Sequence, residues 1–139
     1  MNYGAKTERK IRDFSEKEPK FTLNNQCDML EINWGDFAKV DMRVGTVTEV
    51  REFTKARKPA YQLIIDFGEL GVKKSSAQLT VNYSPENLIG KQVVAVVNFP
   101  AKQIADFMSE CLVLGAVDDQ GVVTLLEPNL SCENGLRVA

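Results

Sequence analysis

Residues 83–99, YSPENLIGKQVVAVVNF, place one short helix directly ahead of a strand that is apolar on both faces. Ser84 suits an N-cap, Pro85 fits the first helical position, Glu86 favours the positive helix end and Gly90 can close the segment. The run KQVVAVVNF (91–99) then lacks the polar alternation of a half-exposed strand, so it reads as a central one. A helix this short between strands narrows the all-β architectures sharply.

The flanking segments complete the pattern. MRVGTVTEVREF (42–53) is β-branched, with Gly45 where a strand bulges or bends. AYQLIIDF (60–67) alternates Tyr61, Leu63, Ile65 and Phe67 on one face. VKKSSAQLTV (72–81) sets Ser75, Ala77, Leu79 and Val81 against Lys74, Ser76, Gln78 and Thr80. CLVLGAV (111–117) and VVTLLE (122–127) follow, joined by the turn DDQG. Three strands, a helix and further strands describe an all-β fold, a five-stranded Greek-key barrel of the OB type. Short helices are expected at 33–39 and 84–89, with additional strands at the C-terminus. In the first helix, Asn33 is the expected cap, and Trp34 and Phe37 share a face that docks on the core.

Residues 1–31 differ in kind. AKTERKIRDFSEKEPKF mixes charges with few aliphatics and contains Pro19, so this stretch reads as a charged N-terminal extension ahead of a barrel domain over 32–139. It lacks the apolar stretch of a secretory signal, and no apolar run reaches the roughly 18 residues of a membrane span. A cytoplasmic location without membrane insertion is the resulting expectation.

Composition removes several kinds of chemistry. The chain of 139 residues contains no histidine, so Ser-His-Asp and Cys-His catalysis and His-ligated metals are unavailable. Cys27, Cys111 and Cys132 form no CxxC pair, which argues for reduced thiols rather than a zinc ribbon or disulfide framework. No phosphate-binding glycine motif occurs. A binding protein without enzyme activity or cofactor is favoured. The net charge is −2, yet residues 39–103 hold ten Lys/Arg against six Asp/Glu, while 104–139 hold one against six. A basic middle attracts phosphates even in an acidic chain.

An OB barrel binds on its second and third strands and the adjoining loops. Here that region supplies Arg57, Lys58, Lys73 and Lys74, with Ser76 and Gln78 on the Lys74 face. VNFPAKQIADFMSECLVLG (97–115) supplies the rest: Pro100 ends the strand, and Asn98, Lys102, Gln103 and Ser109 offer polar contacts in the loop after it. Met108 is the adaptable apolar contact. Phe99 and Ile104 read as a plug closing the barrel or as a subunit contact.

FAKVDMRVGTV, ARKPAYQLIIDFG, GVKKSSAQLT, YSPENLIGKQVVAVVNFPAKQI and SECLVLGA together resemble the CsaA-type export-related chaperones. These lie within the tRNA-binding-domain family of OB folds. The resemblance spans residues 34–139. It implies a homodimer without enzymatic activity that binds unfolded precursor proteins, with tRNA and the export motor as further candidate partners. By position it assigns Arg57, Lys73, Lys74, Ser76, Gln78, Asn98, Lys102, Gln103 and Ser109 to the peptide- or RNA-facing surface. The tRNA-binding branch shows Ser-x-Gly-Met where this chain has Ser109-Glu110-Cys111-Leu112. Glu110 thus places a negative charge where phosphates approach, which favours polypeptide as ligand, with structure-specific tRNA binding as the alternative. Ala101 also replaces the second of two prolines usual in the chaperones.

Overall fold

Tyr61, Leu63 and Ile65 of strand β2 (Tyr61–Asp66) are buried, and the residues between them are half-exposed, so its alternation becomes the wall of a barrel. The structure is a computed structural model, described here for residues 29–139. Residues 35–139 make one compact unit. The expected extension over 1–31 lies almost wholly outside the described residues, as does Cys27.

The main sheet has the order β3-β2-β1-β4-β7, all antiparallel: β1 (Met42–Glu52), β2, β3 (Val72–Ala77), β4 (Gln92–Val96) and β7 (Leu112–Val113). The long β1 serves two neighbours, pairing with β4 over Met42–Thr46 and with β2 over Thr46–Glu52. The register slips between Val47 and Glu49, and the Thr48 hydroxyl donates to the Ile64 carbonyl at 3.2 Å. The irregularity therefore falls three residues beyond Gly45. Gly45 answers a different need: a Cβ there would lie 2.6 Å from Ile65 Cγ2 and 2.7 Å from the Phe67 ring. The curl of β1 brings Ile65 and Phe67 across its backbone, and a hydrogen atom is all that fits. The result is a nearly closed five-stranded antiparallel OB barrel.

Helix α1 (Trp34–Ala38) and helix α2 (Pro85–Leu88) fall where expected. In α2 the Ser84 hydroxyl caps the Asn87 amide while the Asn87 side chain accepts from the Ser84 amide, a reciprocal capping box. Leu88 enters the core fully buried, which stabilises by roughly 1.5–3 kcal/mol. Hydrogen bonds from Gly90 N to Val47 O and from Val47 N to Lys91 O hold the helix exit on β1. Trp34, by contrast, is 84 % exposed rather than docked on the core, while Phe37 is half-buried.

Three expected spans shorten or divide. The third strand stops at Ala77 because Leu79 N turns back onto Ala77 O and buries the Leu79 side chain. The fourth stops at Val96. The loop after it contains a hairpin, β5 (Lys102–Ile104) and β6 (Phe107–Ser109), turning through Ala105 at φ 53°. The terminal apolar segments form the hairpin β8 (Gly115–Val117) and β9 (Val123–Leu125), whose turn is held by Asp118 Oδ1 accepting from Gln120 N and Val122 N. Residues 135–138 then run beside the first half of β1, exchanging hydrogen bonds with Met42 and Val44. Among the described residues no helix is long and apolar enough to cross a membrane.

Candidate functional site

The register of β2 with β3 decides which side chains can act together. Ile65, Leu63 and Tyr61 of the core row face Lys73, Ser75 and Ala77, whereas Ile64 and Gln62 face Lys74 and Ser76. Lys73 and Lys74 therefore belong to opposite faces, and Lys74 and Ser76 share the outer one. Gln78 is exposed but lies beyond the end of the strand.

The outer edge of β3 meets the segment 109–111 and closes the barrel with side chains as much as main chain. Glu110 N donates to Lys74 O at 2.7 Å, and Lys74 N donates to Glu110 Oε1 at 2.9 Å. Ser76 N donates to Ser109 Oγ at 3.1 Å, and the buried Ser75 hydroxyl donates to Cys111 O at 2.9 Å. Glu110 and Ser109 stand in for the carbonyl oxygens of a neighbouring strand, satisfying amides that would otherwise lack partners. One oxygen of the half-buried Glu110 carboxylate thus engages the Lys74 amide within the seam. Burial pushes the Cys111 thiol up to about 11, with the Ser75 hydrogen bond and Lys73 acting the other way. That leaves it protonated and unreactive near neutral pH.

Beyond this seam the β5–β6 hairpin sets Lys102 opposite Ser109 and Gln103 opposite Met108. Lys102 and Met108 are exposed, and the Gln103 amide donates to Ala105 O across the turn at 3.1 Å. The inward residue of the hairpin is Phe107. It packs with Phe53 and Ala60 of the β1–β2 loop in a small satellite core, backed by Ala56 and Ile104. The rings of Phe53 and Phe107 lie 5.4 Å apart, tilted by 59°, and Lys74 Nζ sits 5.3 Å from the Phe107 centroid, within cation–π range. Lys55 joins the two loops by an ion pair to Asp106 at 2.7 Å. Its hydrogen bond holds the Asp106 carboxyl below the ordinary range and raises Lys55 in return. Phe53, Lys55, Asp106 and Phe107 have no local sequence signal as a group, because the loops that meet are fifty residues apart.

The satellite core anchors the 53–60 loop, on which Arg57 and Lys58 are exposed. Beneath it opens a cleft of about 550 Å³ lined by Glu52, Phe53, Arg57, Pro59, Tyr61 and Thr80, among others. The structure therefore gathers Lys74, Ser76, Lys102, Gln103, Met108 and Ser109 around one end of the barrel, with Arg57 on the adjoining loop. Asn98 is engaged elsewhere: its amide donates to Lys39 O at 2.7 Å and its carbonyl accepts from Asp41 N at 3.1 Å, tying the exit of α1 to the end of β4. Phe99 is 56 % exposed, so it is not a barrel plug; Ile104 is half-buried in the satellite core.

Residues 42–137 match a family model described as "Putative tRNA binding domain". The chain belongs to the tRNA-binding-domain family. Within it, the methionine–tRNA ligase of Francisella tularensis is 35 % identical over 122 residues, 88 % of this chain but 17 % of the ligase. The chain thus spans about a sixth of the length of that relative. Among solved structures, the chaperone CsaA of Bacillus anthracis is 55 % identical with a TM-score of 0.76, covering 79 % of this chain and 100 % of that one. The CsaA chaperone of Picrophilus torridus is 52 % identical with a TM-score of 0.73, covering 78 % and 100 %. The MetRS related protein of Pyrococcus horikoshii is 27 % identical with a TM-score of 0.72, covering 80 % and 100 %. Among the described residues no group of three or more His, Cys, Asp or Glu is placed to hold a metal ion.

Proposed function

We propose that this protein is a CsaA-type export chaperone, a cytoplasmic, non-catalytic homodimer that holds unfolded precursor polypeptides on the face built by β3, the β5–β6 hairpin and the 53–60 loop. The observation that carries the reading is the mixture on that face. Exposed Met108 and half-buried Ile64 offer apolar contact, Lys74 and Lys102 offer charge, and the two-stranded hairpin offers short sheet edges. Extended chains bind through such edges with modest side-chain selectivity. The 52–55 % identity to CsaA chaperones over their whole length supports the same reading. A dimer presents two such faces to one client, raising its effective concentration. The export motor is a further partner consistent with this role.

Structured RNA of the tRNA class is the second reading, on the same face. It is favoured by the engagement of Glu110 with the Lys74 amide, which directs one carboxylate oxygen into the barrel seam. Light scattering of a urea-unfolded secretory precursor, beside a mobility shift with bulk tRNA at two salt concentrations, tests both. Suppressed aggregation supports the chaperone, and a complex that weakens steeply with salt supports RNA binding. Absence of both overturns the assignment of this face.

A further inference from the structure

The cleft under the 53–60 loop has a composition that the polypeptide reading leaves without use. The cleft is open to solvent above an apolar, tightly packed floor: Phe53, Ala60 and Tyr61 are each 4–6 % exposed. Its rim carries opposite charges, the Glu52 carboxylate and the Arg57 guanidinium, together with the half-buried Thr80. Asp106, the other carboxylate of the adjoining loops, is already paired with Lys55.

An aliphatic client side chain would fill the floor and leave Glu52 and Arg57 unmatched. A planar ring with polar edges uses all three parts. Its face lies on the apolar floor, an amino group on its edge donates to Glu52, and the planar Arg57 guanidinium stacks on the ring or meets the attached phosphate. A volume of about 550 Å³ accepts one such ring with its sugar, since small-ligand pockets run from about 300 to 1,000 Å³. We infer that the cleft is a subsite for one unstacked, amino-bearing nucleobase of a single-stranded RNA segment, held beside the basic face. The inference rests on the RNA reading above.

The test uses the full chain with oligo(C) and oligo(U) RNA of equal length and a blunt RNA duplex, followed by fluorescence anisotropy. Oligo(C) is expected to bind at least about fivefold tighter than oligo(U), the size of one good base-edge contact. Glu52→Gln is the deciding variant. General electrostatics predicts that removing a carboxylate tightens both oligomers equally, whereas a base subsite predicts that the preference for oligo(C) falls to about onefold. Thr80→Phe, which fills the cleft without changing charge, is expected to weaken single strands about tenfold and to leave the duplex unchanged. Equal affinity for the two oligomers, equal tightening by Glu52→Gln, or a Thr80→Phe variant that loses only polypeptide binding overturns the subsite alone. No complex with either oligomer while bulk tRNA still binds overturns the subsite alone, and no complex with bulk tRNA at low salt overturns the RNA reading and the subsite together.

Discussion

Replacing Glu110 separates two accounts of this residue. In the structure its carboxylate accepts from Lys74 N at 2.9 Å across a seam that closes the barrel, with Glu110 N returning a bond to Lys74 O. Glu110→Ala leaves the main-chain bond and strips a half-buried amide of a charged acceptor. Hydrogen bonds to charged groups contribute about 1.5–3 kcal/mol, and an unpartnered amide that water can partly reach falls at the lower end, about 1.5 kcal/mol. With a urea slope of about 1–3 kcal/mol/M, the unfolding midpoint should fall by about 0.5–1.5 M. Glu110→Gln keeps a carbonyl acceptor and should lose less than half as much. The same pair of variants also reads function. If Glu110 repelled phosphate, Gln would tighten tRNA binding as much as Ala does; if it serves the seam, Gln leaves tRNA affinity unchanged. An Ala variant within about 0.3 kcal/mol of the parent, or a Gln variant that binds tRNA several-fold tighter, would refute the seam argument.

Three further outcomes follow from the geometry. Gly45→Ala drives a Cβ to 2.6 Å from Ile65 and should destabilise by about 1–3 kcal/mol in urea unfolding, because the core cannot yield without moving Phe67. Lys74→Glu should weaken tRNA binding and flatten its salt dependence by about one unit of slope, whereas Lys73→Glu, on the core-facing row, should act mainly on the unfolding midpoint. With Cys111 at about 11, thiol labelling at pH 8 followed by peptide mass mapping should modify half-buried Cys132 and spare Cys111. Because that value is raised, the native state gains from the protonated thiol below about pH 8.5 and loses the gain as pH climbs towards 11.

The barrel was legible because its signals are local. Ser84, Pro85 and Asn87 cap their own helix, Tyr61, Leu63 and Ile65 mark their own face, and Asp118 makes its own turn. The hairpin at 102–109 was not, since its strands are three residues each and the residue at φ 53° is an alanine, not glycine or asparagine. Its fold depends on Phe107 finding Phe53 from a distant loop. The site divides the same way. Residue types and the basic middle singled out a region of chain whose residues the fold largely gathers at one end of the barrel, but alternation alone could not show that Glu110 and Ser109 bond to β3, or that Asn98 holds residues 39–41. Each of those contacts joins segments more than thirty residues apart.

We propose that unfolded polypeptide and structured RNA use one face. Competition tests it most directly: a fluorescent, unfolded secretory precursor bound to the protein is titrated with bulk tRNA at low salt, with Lys74→Glu as the control. tRNA is expected to displace the precursor completely, and displacement should weaken in the variant and at higher salt. A ternary complex in which both remain bound, or a precursor that never binds, would contradict it.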